Sequence, residues 1–104
     1  MTPPRKLLEK RLNTIQGIHI DTWKDTELVC VFYEGKELGH FHGETILDLR
    51  LSQKIIRNRN ISRDISKKIH PNRSANSIWV GIEFNNEEDV DRVVELIDLV
   101  ISNR

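Results

Sequence analysis

The sequence predicts an α+β fold, a two-layer sandwich in which helices cover one face of a mostly antiparallel sheet of about six strands. Three observations predict it. Apolar residues alternate with period two in several short segments, most cleanly in Ile46–Leu51 and Ile78–Phe84. Helical apolar stripes stand at both ends of the chain, in Leu7, Leu8, Leu12 and Ile15 and again in Val90, Val93, Val94, Ile97, Val100 and Ile101. Strand-helix-strand alternations are too few for a doubly wound parallel sheet. The length of 104 residues suits one domain, spanning 1–104, that folds around one core without a disulfide.

The first helix is expected from Pro4, whose fixed φ suits the first helical position, to Gly17. Ile18–Trp23 alternates, placing Ile18 and Ile20 on one face and His19, Asp21 and Trp23 on the other. Glu27–Glu34 is a continuous apolar run and reads as a central strand, joined through Gly35 to a strand from Leu38 to His42. In Ile46–Leu51 the leucines at 47, 49 and 51 point inward and Asp48 and Arg50 outward. Ser52 caps a short helix over Gln53–Asn58. Ile65, Lys67 and Ile69 alternate with Ser66, Lys68 and His70, which predicts a fifth strand, and Pro71–Asn76 supplies turn residues. Ile78–Phe84 is the sixth strand, with Trp79, Gly81 and Glu83 facing away from the core. Asn86 caps the last helix, with Asp89 at the reciprocal capping position.

Sixteen basic and sixteen acidic residues leave no net charge, so nothing draws the whole molecule towards nucleic acid or an anionic membrane. Locally the signs separate. Residues 50–73 hold eight cations against Asp64 alone, whereas the last helix is acidic, so the two can attract one another within a chain or between chains. The basic stretch has no interleaved aromatics or nucleic-acid motif, and nucleic acid is not an expected partner. No run reaches the length of a membrane span and the N-terminus carries no apolar signal stretch; a cytoplasmic location is expected. The lone Cys30 sits in an apolar run and reads as a small buried hydrophobe.

Strand parity gathers chemistry on the face opposite the core. His19, Asp21, Trp23, Asp48, Arg50, His70 and Trp79 fall there, and so do His40 and His42 if Phe41 points inward. A bulge at Gly39 or Gly43 would shift one side chain across. Three readings follow. The leading one is a non-catalytic binding or protein-interaction domain that uses this open face, with Trp23, Trp79, His40 and Arg50 as binding residues and a homodimer or protein partner. The alternative is a small metal-dependent or acid-base enzyme, with His42, Asp48 and His70 as catalytic candidates, because a His beside a carboxylate has the tautomer control of a general base. The third is purely structural, with the histidines orienting turns. The spacing matches no established metal frame, the serines lack a nucleophile elbow, and no cofactor is named by any motif.

The segment Gly35-Lys36-Glu37-Leu38-Gly39-His40-Phe41-His42-Gly43, with Asp48, His70, Ile78-Trp79-Val80 and Asn86-Glu87-Glu88-Asp89-Val90, resembles a family of small proteins labelled luciferase-domain proteins. The resemblance covers about residues 35–101. It implies no defined activity, and these residues announce no luciferin or flavin pocket.

Overall fold

Pro4 opens α1 (Pro4–Leu12), which buries Leu8 and Leu12 completely. The helix stops at Leu12, short of the expected Gly17, where the Thr14 hydroxyl turns back to donate to the Arg11 carbonyl at 2.7 Å. A computed structural model describes residues 2–103. Met1 and Arg104 lie outside them.

Five strands follow in a meander, β1 (Ile18–Thr22), β2 (Val29–Tyr33), β3 (Lys36–Phe41), β4 (Ile46–Arg50) and β5 (Trp79–Glu83), with antiparallel order β1-β2-β3-β4-β5. Between the last two come α2 (Gln53–Asn58) and α3 (Asp64–Ile69), and the chain closes with α4 (Glu87–Ser102). Ser52 caps α2 by accepting from the Ile55 N–H at 3.2 Å, and Asn86 caps α4 by accepting from Asp89 at 2.8 Å. Asp89 returns a bond to the N–H of Asn85 at 3.0 Å, one residue ahead of the expected position. No helix among the described residues is long and apolar enough to cross a membrane.

Residues paired across antiparallel strands share a face. Val31, Gly39, Leu49 and Val80 therefore form one row, and Cys30, His40, Asp48 and Gly81 the neighbouring row on the opposite face. The first row packs under α1 and α4, in a core with Leu8, Phe84, Val90, Val93 and Ile97, all without solvent exposure. Gly39 is required in that row, since a Cβ there would stand 2.5 Å from the Asp48 carbonyl oxygen.

The α+β class and antiparallel sheet agree with expectation, and two details differ. Residues 65–70, expected as a strand, form α3 instead. In a helix Ile65 and Ile69 are one turn apart on the same side, and both press on Gly81, where a Cβ would lie 3.1 Å from Ile65 Cγ2 and 3.2 Å from Ile69 Cδ1. Ser66 sits between them, fully packed, and its hydroxyl accepts the Gly81 N–H at 2.8 Å. The second difference follows from the first. Because Gly81 belongs to the Asp48 row, α3 covers the β4–β5 half of the face that was expected to lie open. No helix covers the β1–β2 half, where Cys30 is nonetheless buried and β1 is the exposed strand.

The charge separation is answered partly within the chain. Arg59, just after α2, pairs with Glu95 of α4 at 3.1 Å, and Arg11 of α1 bonds Glu87 at 2.9 Å and also pairs with Asp91.

Candidate functional site

Asp48 stands at the middle of β4, on the face away from the main core, and is fully buried. A buried carboxylate survives only when its charge is answered. Arg73, from the loop after α3, answers it with two parallel bonds, Nη1 to Oδ1 and Nη2 to Oδ2, each 2.8 Å. The same Nη1 donates to the Trp79 carbonyl at 3.1 Å. Arg63 donates to the Ser77 carbonyl at 2.8 Å, so residues 63–77 are tied down across the sheet at both ends.

His40, in register with Asp48 on β3, places Nε2 3.4 Å from Asp48 Oδ2 and Nδ1 3.2 Å from Glu37 Oε2. The second contact depends on a bulge. Register slips between Val31 and Phe32, so that Val31 pairs with Gly39 while Phe32 pairs with Glu37, leaving Leu38 as the extra residue. Strict alternation would send Glu37 to the helix-covered face; the bulge turns it onto the face of His40 and lets Leu38 enter the core. With both ring nitrogens against carboxylates, His40 is placed so that its charged, imidazolium form is favoured. The Trp79 ring lies tilted beside it at 5.5 Å between centroids.

The electrostatics follow from these contacts. Burial alone would raise the Asp48 carboxyl, yet the bonds from His40 and Arg73 and the guanidinium charge outweigh it and hold the group well below the usual carboxylate range. His40 is raised, first by its contact with Asp48 and then by Glu37, against a desolvation that works the other way. His70 is lowered by desolvation and by the charge of Arg73. Burial, with Glu37 adding to it, pushes the Cys30 thiol up to about 12, so the one sulfur in this row is a protonated, unreactive thiol at neutral pH.

His70 caps α3 and edges towards the same carboxylate, its Nε2 3.8 Å from Asp48 Oδ2. Its ring is 40% exposed, but Nε2 points inward, is buried, and has no hydrogen-bond partner. His42, exposed at the end of β3, meets it edge-on with centroids 5.8 Å apart.

Among the residues expected on this face, His40, His42, Asp48, His70 and Trp79 come together. Arg50 does not join them; it is in register with Trp79 but turns outward at the end of β4. Trp23 is further still, at the end of β1, stacked on Phe32 at 6.1 Å and 39% exposed. His19 is near it, paired with Asp21 at 3.3 Å. Glu37 and Arg73 are the two members that sequence reasoning missed. The first needed the bulge, and the second sat in a turn-rich loop with nothing to distinguish it from seven other cations nearby.

No group of three or more His, Cys, Asp or Glu side chains among the described residues is arranged to hold a metal ion. The guanidinium already occupies both oxygens of Asp48, the carboxylate on which the histidines converge.

Comparison with known proteins gives one family. The profile of the Luciferase domain family matches residues 35–100, from the β2–β3 turn nearly to the end of α4 and through Glu37, His40, Asp48 and Arg73. Neither a curated protein nor a solved structure gave a match. With more than half of its length matched, the chain belongs to the luciferase-domain family.

Proposed function

We propose that this protein is a non-catalytic interaction domain that engages a protein partner, in the first instance a second copy of itself, through the helix-free β1 side of the sheet. The observation that carries this reading is the position of the two exposed large apolar side chains, Trp23 at 39% and Leu28 at 40%, on the same hairpin beside the outer strand β1. A strand without a neighbour on one side offers unpaired backbone groups, and an aromatic stack beside it offers apolar area, which together suit an isologous edge-to-edge contact. The Asp48 cluster supports the non-catalytic part. Its carboxylate is fully buried and doubly bonded, His40 has both nitrogens engaged, and Cys30 holds its proton. Groups so engaged clasp residues 63–77 to the sheet and are buried away from a substrate.

Light scattering after size exclusion tests it. A concentration-dependent dimer is expected for the wild type, and Trp23→Asp is expected to give a folded monomer. A wild type that stays monomeric at millimolar concentration, with no protein captured in a Trp23-dependent way, refutes the proposal.

One observation favours a second reading, acid-base catalysis at the mouth of the cluster. The His70 imidazole is lowered towards its neutral form, its Nε2 is unpartnered, and His42 stands beside it open to solvent. If that pair works as base and acid, any activity found must fall at least about a hundredfold in both His70→Gln and His42→Gln.

A further inference from the structure

We infer that the groove at the far end of the sheet from the β1–β2 tip binds a soluble amphiphile with an elongated apolar body and a single anionic head, a medium- or long-chain carboxylate. This site does not rest on the interaction reading; it borders the His40–Asp48 cluster only at Glu37.

The groove opens between the ends of β3 and β4, α2 and the last turns of α4, with a volume of about 1270 Å³. That is above the roughly 300–1,000 Å³ of ordinary small-molecule sites, so it can take a chain of a dozen carbons. Its floor is apolar, built from Leu38, Leu51, Ile55, Ile78, Leu99 and Val100. Leu99 and Val100 are only partly covered, although they belong to the helix that carries much of the core. The bulge that turns Glu37 towards His40 also delivers Leu38 to this floor.

The rim has one sign. Lys36, Arg50, Lys54 and Arg59 line the opening against the single acid Glu37. Glu37 is committed to His40, at 3.2 Å, and Arg59 to Glu95, at 3.1 Å. Lys36, Arg50 and Lys54 have no ion-pair partner among the described residues, although the chain as a whole is neutral. Three unanswered cations around an apolar trough complement a molecule whose head is anionic and whose body is not. A neutral lipid would leave the rim unused, and a small inorganic anion would leave the floor unused. Arg50 thus belongs to a binding site different from the one in which strand parity placed it.

The test is calorimetric titration of the full chain with dodecanoate below its micelle concentration, with dodecanol, octanoate and inorganic phosphate as comparison ligands. Saturable one-to-one binding of dodecanoate is expected, at least about tenfold tighter than octanoate because four more methylenes are buried. The double variant Arg50→Gln, Lys54→Gln is expected to weaken dodecanoate by about tenfold and leave dodecanol unchanged. These exposed residues can be changed without disturbing the core, and chemical-shift changes centred on Leu99 and Val100 would locate the ligand. Absence of saturable binding overturns the inference. So does phosphate binding as tightly as dodecanoate, which would mean an anion site without a use for the floor. Binding seen only with vesicles rich in anionic lipid also overturns it, since that makes the rim a membrane-surface contact.

Discussion

Replacing Arg73 by Met keeps most of the apolar stem and removes the guanidinium, leaving Asp48 charged in a place with no solvent. The carboxylate is fully buried and the arginine side chain 17% exposed, with both contacts at 2.8 Å. Two unit charges centred about 4 Å apart attract by about 4 kcal/mol at an effective dielectric near 20. His40 remains 3.4 Å from Oδ2 and retains part of the compensation. The expected loss at pH 7 is therefore about 3 kcal/mol, at the lower end of what breaking a buried pair costs. For a chain of this size that lowers the melting temperature by roughly 12 °C or more.

The pH dependence separates a charge effect from simple loss of packing. In the wild type the Asp48 carboxyl is held below its unfolded value, so its contribution is present above about pH 3.9 and is lost as pH falls through the folded value. Without Arg73 the same carboxyl takes up a proton under mild acid, and the penalty for burying its charge disappears. Urea denaturation at pH 7 and at pH 4 should then show a gap between wild type and variant that narrows at the lower pH. A gap below about 1 kcal/mol at pH 7 would refute the reasoning. So would a gap of equal size at both pH values.

Two further predictions follow from the same geometry. Gly39→Ala should destabilise by about 3 kcal/mol or prevent soluble accumulation, because the new methyl meets backbone at 2.5 Å, whereas Gly81→Ala, whose closest contacts are the side-chain methyls of Ile65 and Ile69 at 3.1 and 3.2 Å with backbone no nearer than 3.5 Å, should cost about 1 kcal/mol by chemical denaturation. The two buried-facing histidines should give opposite pH slopes of stability. His40 is raised, so its contribution is complete below about pH 6.5 and is lost as pH rises through the folded value, while His70 is lowered, so its contribution is present above about pH 6.5 and is lost as pH falls towards the folded value. Denaturation of His40→Asn should flatten the alkaline side of the curve and of His70→Asn the acid side; identical slopes in the two variants would contradict both assignments.

Much of the sheet is legible in the chain because each strand buries one face. Leu47, Leu49 and Leu51 fix the parity of Asp48, and Val80 and Phe84 fix that of Trp79, so their sharing a face follows from alternation, and His40 joins them because Phe41 points inward; that they meet depends on the strand order, which alternation does not give. The segment 64–69 is where this reasoning fails. Over six residues, apolar side chains at 65 and 69 satisfy a period of two and a helical turn equally well, and the choice is made by the notch at Gly81 on another strand. Glu37 is hidden for a related reason, since a single extra residue in β3 reverses its side and nothing in Lys36-Glu37-Leu38 announces where the slip occurs. Arg73 is invisible because only the buried charge of Asp48, 25 positions away, tells it from its neighbours.

The single thiol gives this fold an internal clock. Cys30 has no solvent exposure, pairs with Asp21 on one side and His40 on the other, and holds its proton up to about pH 12. A thiol-specific reagent at neutral pH therefore finds nothing to attack until β1, β2 and β3 part. The rate of alkylation reads the frequency with which the sheet opens, molecule by molecule, and does so without an added label.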